Sequence, residues 1–276
     1  MIPLNGYVVD ANVLYRIQEK IISVTSLQST YKKLYLSPIT VFEILAKIYP
    51  DNFSKQQEIA KICLDNFEIL PDPNIFLAEA WQLIKTNSES QEYWIDVLKN
   101  FIDTKSYKDF EKISEEYKKQ KNESEIDFVS SIDEGKNEII PGYKEFRAQG
   151  KTLQPTKKEL ELFATRMLMP DSLIQIILAI YERTIRVAEK MKKIQLQRII
   201  TPQQLLNVMP FINFYTLIRV AYIIHFYQRP PKLNDFADVE IMTYLGINCR
   251  ILTFDEKWID IAKIVGLQTH VLKPTF

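Results

Sequence analysis

The chain has 276 residues, 46% of them hydrophobic and 25% charged, and its 35 basic side chains balance 35 acidic ones. This composition is typical of an ordinary globular protein, and the zero net charge indicates no affinity of the whole chain for nucleic acid or membrane. Six scattered glycines exclude a glycine-cradled nucleotide site, and two histidines with two cysteines exclude a Cys/His zinc site, so polar chemistry must rest on carboxylates.

The N-terminal residues MIPLNGYVVD contain neither a basic region nor an apolar region of the kind that signal peptides carry. No stretch approaches eighteen uncharged apolar residues, which a membrane-spanning helix needs. We therefore expect a cytoplasmic protein with no membrane contact. Cys63 and Cys249 are too far apart in sequence to indicate a disulfide framework, and we expect both to be buried as small apolar residues.

The first third of the chain alternates strands and helices. Short apolar runs predict strands at residues 7–10, 34–36 and 67–70. Ser37 and Pro38 are a typical start for a helix, which the spacing of apolar residues extends toward Pro50, and a second helix is predicted over residues 53–65. This alternation is typical of a parallel α/β sheet.

From residue 74 to residue 228 the apolar residues recur at helical spacing and strand signals nearly disappear. This segment is also divided in charge. Residues 86–140 hold 8 basic and 14 acidic side chains, whereas residues 151–200 hold 10 basic and 5 acidic ones. The zero net charge therefore conceals an acidic half and a basic half of this segment. It does not argue against a nucleic-acid partner for the basic half.

The alternation returns after residue 230. The pattern predicts a helix over 234–245 closed by Gly246, a strand over 250–254, a helix over 256–265 closed by Gly266, and a strand over 269–272. The simplest fold is an α/β protein with an α/β/α parallel-sheet core. We predict that residues 1–73 and 229–276 form this core and that residues 74–228 are a large all-α insertion.

Five acids are candidates for chemistry. Asp10 and Asp255 each follow a predicted strand, and in parallel sheets ligands bind outside the carboxyl ends of the strands. The two acids converge only if their strands are neighbours in the sheet. Asp235 and Asp238 share one face of a helix, and Glu43 lies in the helix that Pro38 begins. Gathered carboxylates repel one another without a cation, and their oxygens suit Mg²⁺ or Mn²⁺.

Each acid also has an alternative structural explanation. Asp255 is a preferred N-cap for the helix that follows, and Asp235 and Asp238 would complement a helix dipole. Glu43 would pair with Lys47 one turn away on a solvated face. Asp10 would be a turn residue at the end of the first strand.

Four short motifs resemble those of PIN-domain ribonucleases in their order along the chain. They are VDANVL at residues 9–14, SPITVFEI at 37–44, DVEI at 238–241 and TFD at 253–255. The resemblance covers residues 1–70 and 230–276, under half of the chain, and the long helical middle is a departure from compact members of the family.

The resemblance implies a set of roles. Asp10, Glu43, Asp238 and Asp255 would be the catalytic, metal-binding acids, with Asp235 as a fifth ligand and with Asn12 and Thr253 as supporting residues. The implied activity is endoribonuclease cleavage with Mg²⁺ or Mn²⁺, which leaves a 5′-phosphate and a 3′-hydroxyl. Some members are toxins of toxin–antitoxin pairs, so RNA, an antitoxin protein or a second copy of the chain are the expected partners. The alternative is a non-catalytic RNA-binding or protein-interaction module on the same core.

Basic side chains also form a stripe in the helical middle. Its members follow a 3-4-3 spacing: Arg183, Arg186, Lys190 and Lys193. The opposite helix face is apolar and comprises Ile177, Tyr181, Ile185 and Ala188. Such a stripe would bind RNA phosphates without regard to sequence, whereas the alternative is a solvated amphipathic helix.

Overall fold

The computed structural model describes residues 5–81, 83–84, 89–139, 145, 148–149, 156–192, 202–225 and 235–276. Five strands in this part of the chain form a parallel sheet in the order β3-β2-β1-β4-β5. They are β1 (Gly6–Val9), β2 (Leu34–Leu36), β3 (Glu68–Ile69), β4 (Cys249–Leu252) and β5 (Val271–Leu272). The central strand β1 therefore pairs with strands from both ends of the sequence, and the predicted α/β class with a parallel sheet is confirmed.

Helices make up most of the remaining described residues. They are α1 (Ala11–Gln18), α2 (Val24–Thr30), α3 (Pro38–Ala46), α4 (Phe53–Asn66), α5 (Pro73–Ala80), α6 (Glu89–Asp103), α7 (Tyr107–Ile139), α8 (Lys157–Met167), α9 (Pro170–Lys192), α10 (Pro202–His225), α11 (Asp235–Ile241), a 3₁₀ helix (Met242–Tyr244) and α12 (Glu256–Ile264). Among the described residues no single helix has the length and apolar character needed to cross a membrane. One pair, Glu161–Met167 with Pro170–Lys190, meets that test only jointly, across a bend of 60°.

The predicted strands and terminal helices are present, with three differences. Helices α1 and α2 lie between β1 and β2, where no element was predicted. The predicted helix over 234–245 is divided into α11 and the 3₁₀ helix. The chain then turns at Gly246, whose N–H donates to the Cys249 carbonyl at 3.1 Å as β4 begins. Strand β3 is only two residues long.

Local sequence signals explain where two helices begin and end. The Ser37 hydroxyl accepts the backbone N–H of Ile39 at 3.1 Å and caps α3, with Pro38 at its first position. After α12, Gly266 adopts a positive φ of 73°, which a glycine takes without steric cost. Both predicted boundaries are therefore confirmed.

Both faces of the sheet are covered. Val8, Tyr35 and Ile251 point into one buried apolar cluster, whereas the alternate residues, such as Val9 and Leu252, point into another. This alternation follows from the two-residue period of a strand, and coverage on both faces is usual for parallel sheets.

The helical middle supplies much of that cover. Ile180 of α9 and Tyr222 of α10 belong to the first cluster, while Phe101 of α6 and Phe110 of α7 belong to the second. The described helices of residues 74–228 therefore pack on the faces of the sheet. The division of the chain into a core and a separate insertion stays a prediction.

Candidate functional site

The candidate site begins where β1 and β4 end side by side. These two strands are parallel neighbours, with Val9 opposite Leu252, and the backbone N–H of Asp10 donates to the Leu252 carbonyl at 3.0 Å. The condition for Asp10 and the residues after β4 to converge is thus met. Asp10 is 8% exposed and lies at the carboxyl edge of the sheet.

Two polar side chains hold the Asp10 carboxylate. The Thr253 hydroxyl donates to Asp10 Oδ2 at 2.7 Å, and Asn12 Nδ2 donates to the same oxygen at 2.6 Å. Asn12 Oδ1 accepts the Phe254 N–H at 2.9 Å, and Thr253 Oγ1 accepts the Asp255 N–H at 3.0 Å. The two residues predicted to support the site therefore link the first turn of α1 to the loop after β4.

The buried acids repel one another. Burial, followed by the charges of Asp238 and Glu43, raises the pKa of Asp10 to about 8, although the Thr253 hydrogen bond acts in the opposite direction. Burial also raises the pKa of Glu43 and that of Asp238, in each case against the opposing effect of a nearby lysine. The carboxylates of Asp10, Glu43 and Asp238 are therefore close enough for the charge of one to affect the pKa of another.

Glu43 lies on α3, which packs against α11, the helix that carries Asp238. The expected pair with Lys47 is present, with Lys47 Nζ 3.4 Å from Glu43 Oε1. Glu43 is nevertheless only 9% exposed. The alternative explanation is therefore confirmed for the pairing, whereas the expected solvated face holds for Lys47, whose side chain is 43% exposed, and not for Glu43.

A lysine that was not predicted joins the other three acids. Lys257 Nζ lies 2.6 Å from Asp235 Oδ1, 3.2 Å from Asp238 Oδ2 and 3.9 Å from Asp255 Oδ2. Burial lowers the pKa of Lys257, but the charges of these acids outweigh it and raise that pKa overall. The Asp255 carboxylate also accepts the Lys257 N–H at 2.9 Å, so the capping role given as its alternative explanation is confirmed.

The site is thus a set of carboxylates that form hydrogen bonds and salt bridges with other side chains of this protein. No family model, curated protein or solved structure matches this chain. Within the described ranges, no three Asp, Glu, His or Cys side chains are grouped as ligands of a metal ion. Lys257 Nζ lies within 4 Å of Asp235, Asp238 and Asp255, and Lys47 pairs with Glu43.

Two members of the basic stripe on α9 form salt bridges. Arg183 makes a bidentate contact with Glu240 of α11, at 3.0 and 3.3 Å, and Glu240 is 2% exposed. Arg186 pairs with Glu182 at 3.4 Å, and Lys190 is exposed, whereas Lys193 lies outside the described residues. The apolar residues of the opposite face are buried, as predicted.

Arg183 therefore joins two helices, although 44% of its side chain remains exposed. The charge of Glu240 raises the pKa of Arg183, and Arg183 holds the pKa of Glu240 below its usual range despite burial. The Tyr215 hydroxyl also donates to Glu240, at 3.3 Å, and Arg219 donates to that hydroxyl at 3.0 Å. This cluster ties α9 and α10 to α11.

One signal in the sequence could have indicated Lys257. It lies in the first turn of α12, where a cation opposes the helix dipole and is normally disfavoured. A lysine at such a position needs an acidic partner to offset that cost. Asp235 and Asp238, on the preceding predicted helix, were candidates for the acidic partner of Lys257.

Proposed function

We propose that this chain is a metal-dependent endoribonuclease in which Asp10, Glu43, Asp238 and Asp255 hold Mg²⁺ or Mn²⁺. The observation that carries the proposal is the buried Asp10, whose pKa rises to about 8 beside the carboxylates of Asp238 and Glu43. Such repulsion is what a divalent cation relieves. The toxin role and the antitoxin partner stay predictions from the resemblance alone.

The donor set fits a hard divalent ion. Its members are all carboxylates, and no lysine, arginine or histidine in the described part of the chain forms a salt bridge with Asp10. When bound, the ion would activate a water molecule and neutralise charge on a phosphodiester. Asn12 and Thr253 would fix the orientation of the Asp10 carboxylate through the two bonds to its Oδ2.

Cations beside the acids suit an RNA substrate. The Arg16 guanidinium stacks 4.4 Å from the centre of the Phe254 ring, next to Thr253 and Asp255. Arg16 lies one helical turn after Asn12, so its charge is at the border of the acidic cluster. A guanidinium held this way is suited to a phosphate, which is the group that flanks every scissile bond in RNA.

The test is cleavage of a single-stranded RNA with Mn²⁺, Mg²⁺ or a chelator. We expect the wild-type protein to cleave with either ion, and the chelator to stop the reaction. Asp10→Asn should lower the rate at least about a hundredfold, because the variant loses a charged ligand. Asp51→Asn, which changes an exposed turn residue, is the matched control and should cleave normally. An Asp10→Asn protein as active as the wild type would overturn the assignment.

A second candidate is a non-catalytic binding module on the same core. The observation that favours it is that Lys257 and Lys47 already neutralise part of the acidic cluster. Heat stability with and without Mn²⁺ separates the two functions, because a ligand that binds only the folded state raises the melting temperature. No shift at millimolar Mn²⁺ would favour the binding module.

A further inference from the structure

The ammonium of Lys257 lies among three carboxylates that come from two helices. Asp235 and Asp238 are three residues apart on α11, and Asp255 precedes α12, whose first turn carries Lys257. The Nζ distances are 2.6 Å to Asp235, 3.2 Å to Asp238 and 3.9 Å to Asp255. The ammonium therefore donates hydrogen bonds to Asp235 and Asp238 and forms a longer ion pair with Asp255.

Neighbouring contacts keep the ammonium in this position. The lysine side chain is only 28% exposed, and its Nζ lies 5.2 Å from the centre of the Trp258 ring. The Tyr222 hydroxyl donates to Asp235 Oδ2 at 3.2 Å, while Lys257 occupies Asp235 Oδ1. Both oxygens of Asp235 are therefore engaged, which leaves the predicted fifth ligand bound to the chain's own groups.

The acids thus fall into two parts. Asp235, Asp238 and Asp255 surround the ammonium, whereas Asp10 is held by the neutral donors Asn12 and Thr253. Asp238 belongs to both parts, because its charge also acts on Asp10. A divalent ion beside Asp10 would meet a carboxylate whose hydrogen-bond donors are neutral, whereas an ion beside Asp235 would lie next to the ammonium that contacts Asp235 at 2.6 Å and would be repelled.

We propose that Lys257 takes the place of a second metal ion, so that the site binds one divalent cation on the Asp10 side. This inference rests on the proposed function and makes it more specific, since a carboxylate cluster of this size could otherwise hold two ions. The residue would set the number of bound ions and supply the positive charge on the opposite side of Asp238.

The test is the number of Mn²⁺ ions bound per chain, measured by equilibrium dialysis and titration calorimetry on the full-length protein. We expect one ion for the wild type and for Lys257→Arg, which keeps the charge. Lys257→Met removes the charge and should bind two. Lys263→Met is the matched control, because this lysine lies on the same helix and pairs at 2.8 Å with an exposed Asp260. It should bind one ion.

The outcomes separate this inference from the function on which it depends. Two ions in the wild type, or one in Lys257→Met, would overturn the role of Lys257 and leave the metal site standing. No ion bound by either protein would overturn both. Circular dichroism establishes whether Lys257→Met folds. Should it not fold, Lys257→Gln replaces it, and the wild-type count alone still decides against the inference if it is two.

Discussion

Replacing Asp10 with Asn should stabilise the metal-free protein, and more strongly at pH 8 than at pH 5. The folded-state pKa of Asp10 is raised from 3.8 to about 8. The folded protein therefore keeps a proton that the unfolded chain releases between these values. Stability from this proton is complete below about pH 4 and is lost as the pH rises toward 8. The Asp10→Asn variant has no titrating carboxyl group at this position, so its unfolding free energy does not show this loss.

The magnitude follows from the pKa shift. Each pKa unit corresponds to about 1.4 kcal/mol, so the wild type should lose about 4 kcal/mol of unfolding free energy relative to Asp10→Asn between pH 5 and pH 8. The amide oxygen of the variant can still accept the hydrogen bonds from Thr253 and Asn12, so the change leaves the local donors satisfied.

Urea unfolding at pH 5, 6, 7 and 8 with a chelator measures this difference. Asp51→Asn is the control, because its exposed carboxylate should give no pH-dependent gain. Millimolar Mn²⁺ should restore the stability of the wild type at pH 8 but not change that of Asp10→Asn. A gain for Asp10→Asn that is equal at pH 5 and pH 8 would refute the electrostatic reasoning.

Three further changes test neighbouring contacts. Asn12→Ala should cost about 1–3 kcal/mol in urea unfolding, because it removes a donor to Asp10 and leaves a backbone N–H without its acceptor. Arg183→Met should cost about 3 kcal/mol, because the buried Glu240 loses its salt-bridge partner and keeps only the hydrogen bond from Tyr215. Adding Glu240→Gln should recover part of that loss, and no recovery would contradict the pairing. Reversing Arg186 and Lys190 to Glu should reduce the salt dependence of RNA binding by about one unit of slope for each phosphate contact, and an unchanged slope would assign that face to solvent.

The parts of the fold that could be predicted are those with strong local signals. The β-branched residues before Asp10 predicted β1, and Ser37 with Gly266 predicted the ends of helices. The convergence of Asp10 and Thr253 needed one further condition, the pairing of β1 with β4. No local pattern specifies which strands become neighbours, so the pairing of β1 with β4 could not be predicted from the sequence.

The contacts that were missed join residues far apart in the sequence. Arg183 and Glu240 are 57 residues apart, and helical spacing assigned Arg183 to a basic face without showing which helix packs on that face. Lys257 is 22 residues from Asp235 and meets it only because the tertiary structure brings the first turn of α12 to the start of α11. Periodicity places a side chain on a face, whereas tertiary packing supplies its partner.

The balance of charge at the sheet edge connects the candidate activity with the fold. The acids carried by α11 and by the start of α12 have a cation from the chain itself, and Glu43 has Lys47. Asp10 is buried, its side-chain hydrogen-bond donors Asn12 and Thr253 are neutral, and the charges of Asp238 and Glu43 both raise its pKa. We therefore expect a divalent ion to have its largest electrostatic effect at Asp10, with which no cation among the described residues forms a salt bridge. The zero net charge of the sequence is thus compatible with the proposed site, in which a divalent ion would supply positive charge beside Asp10.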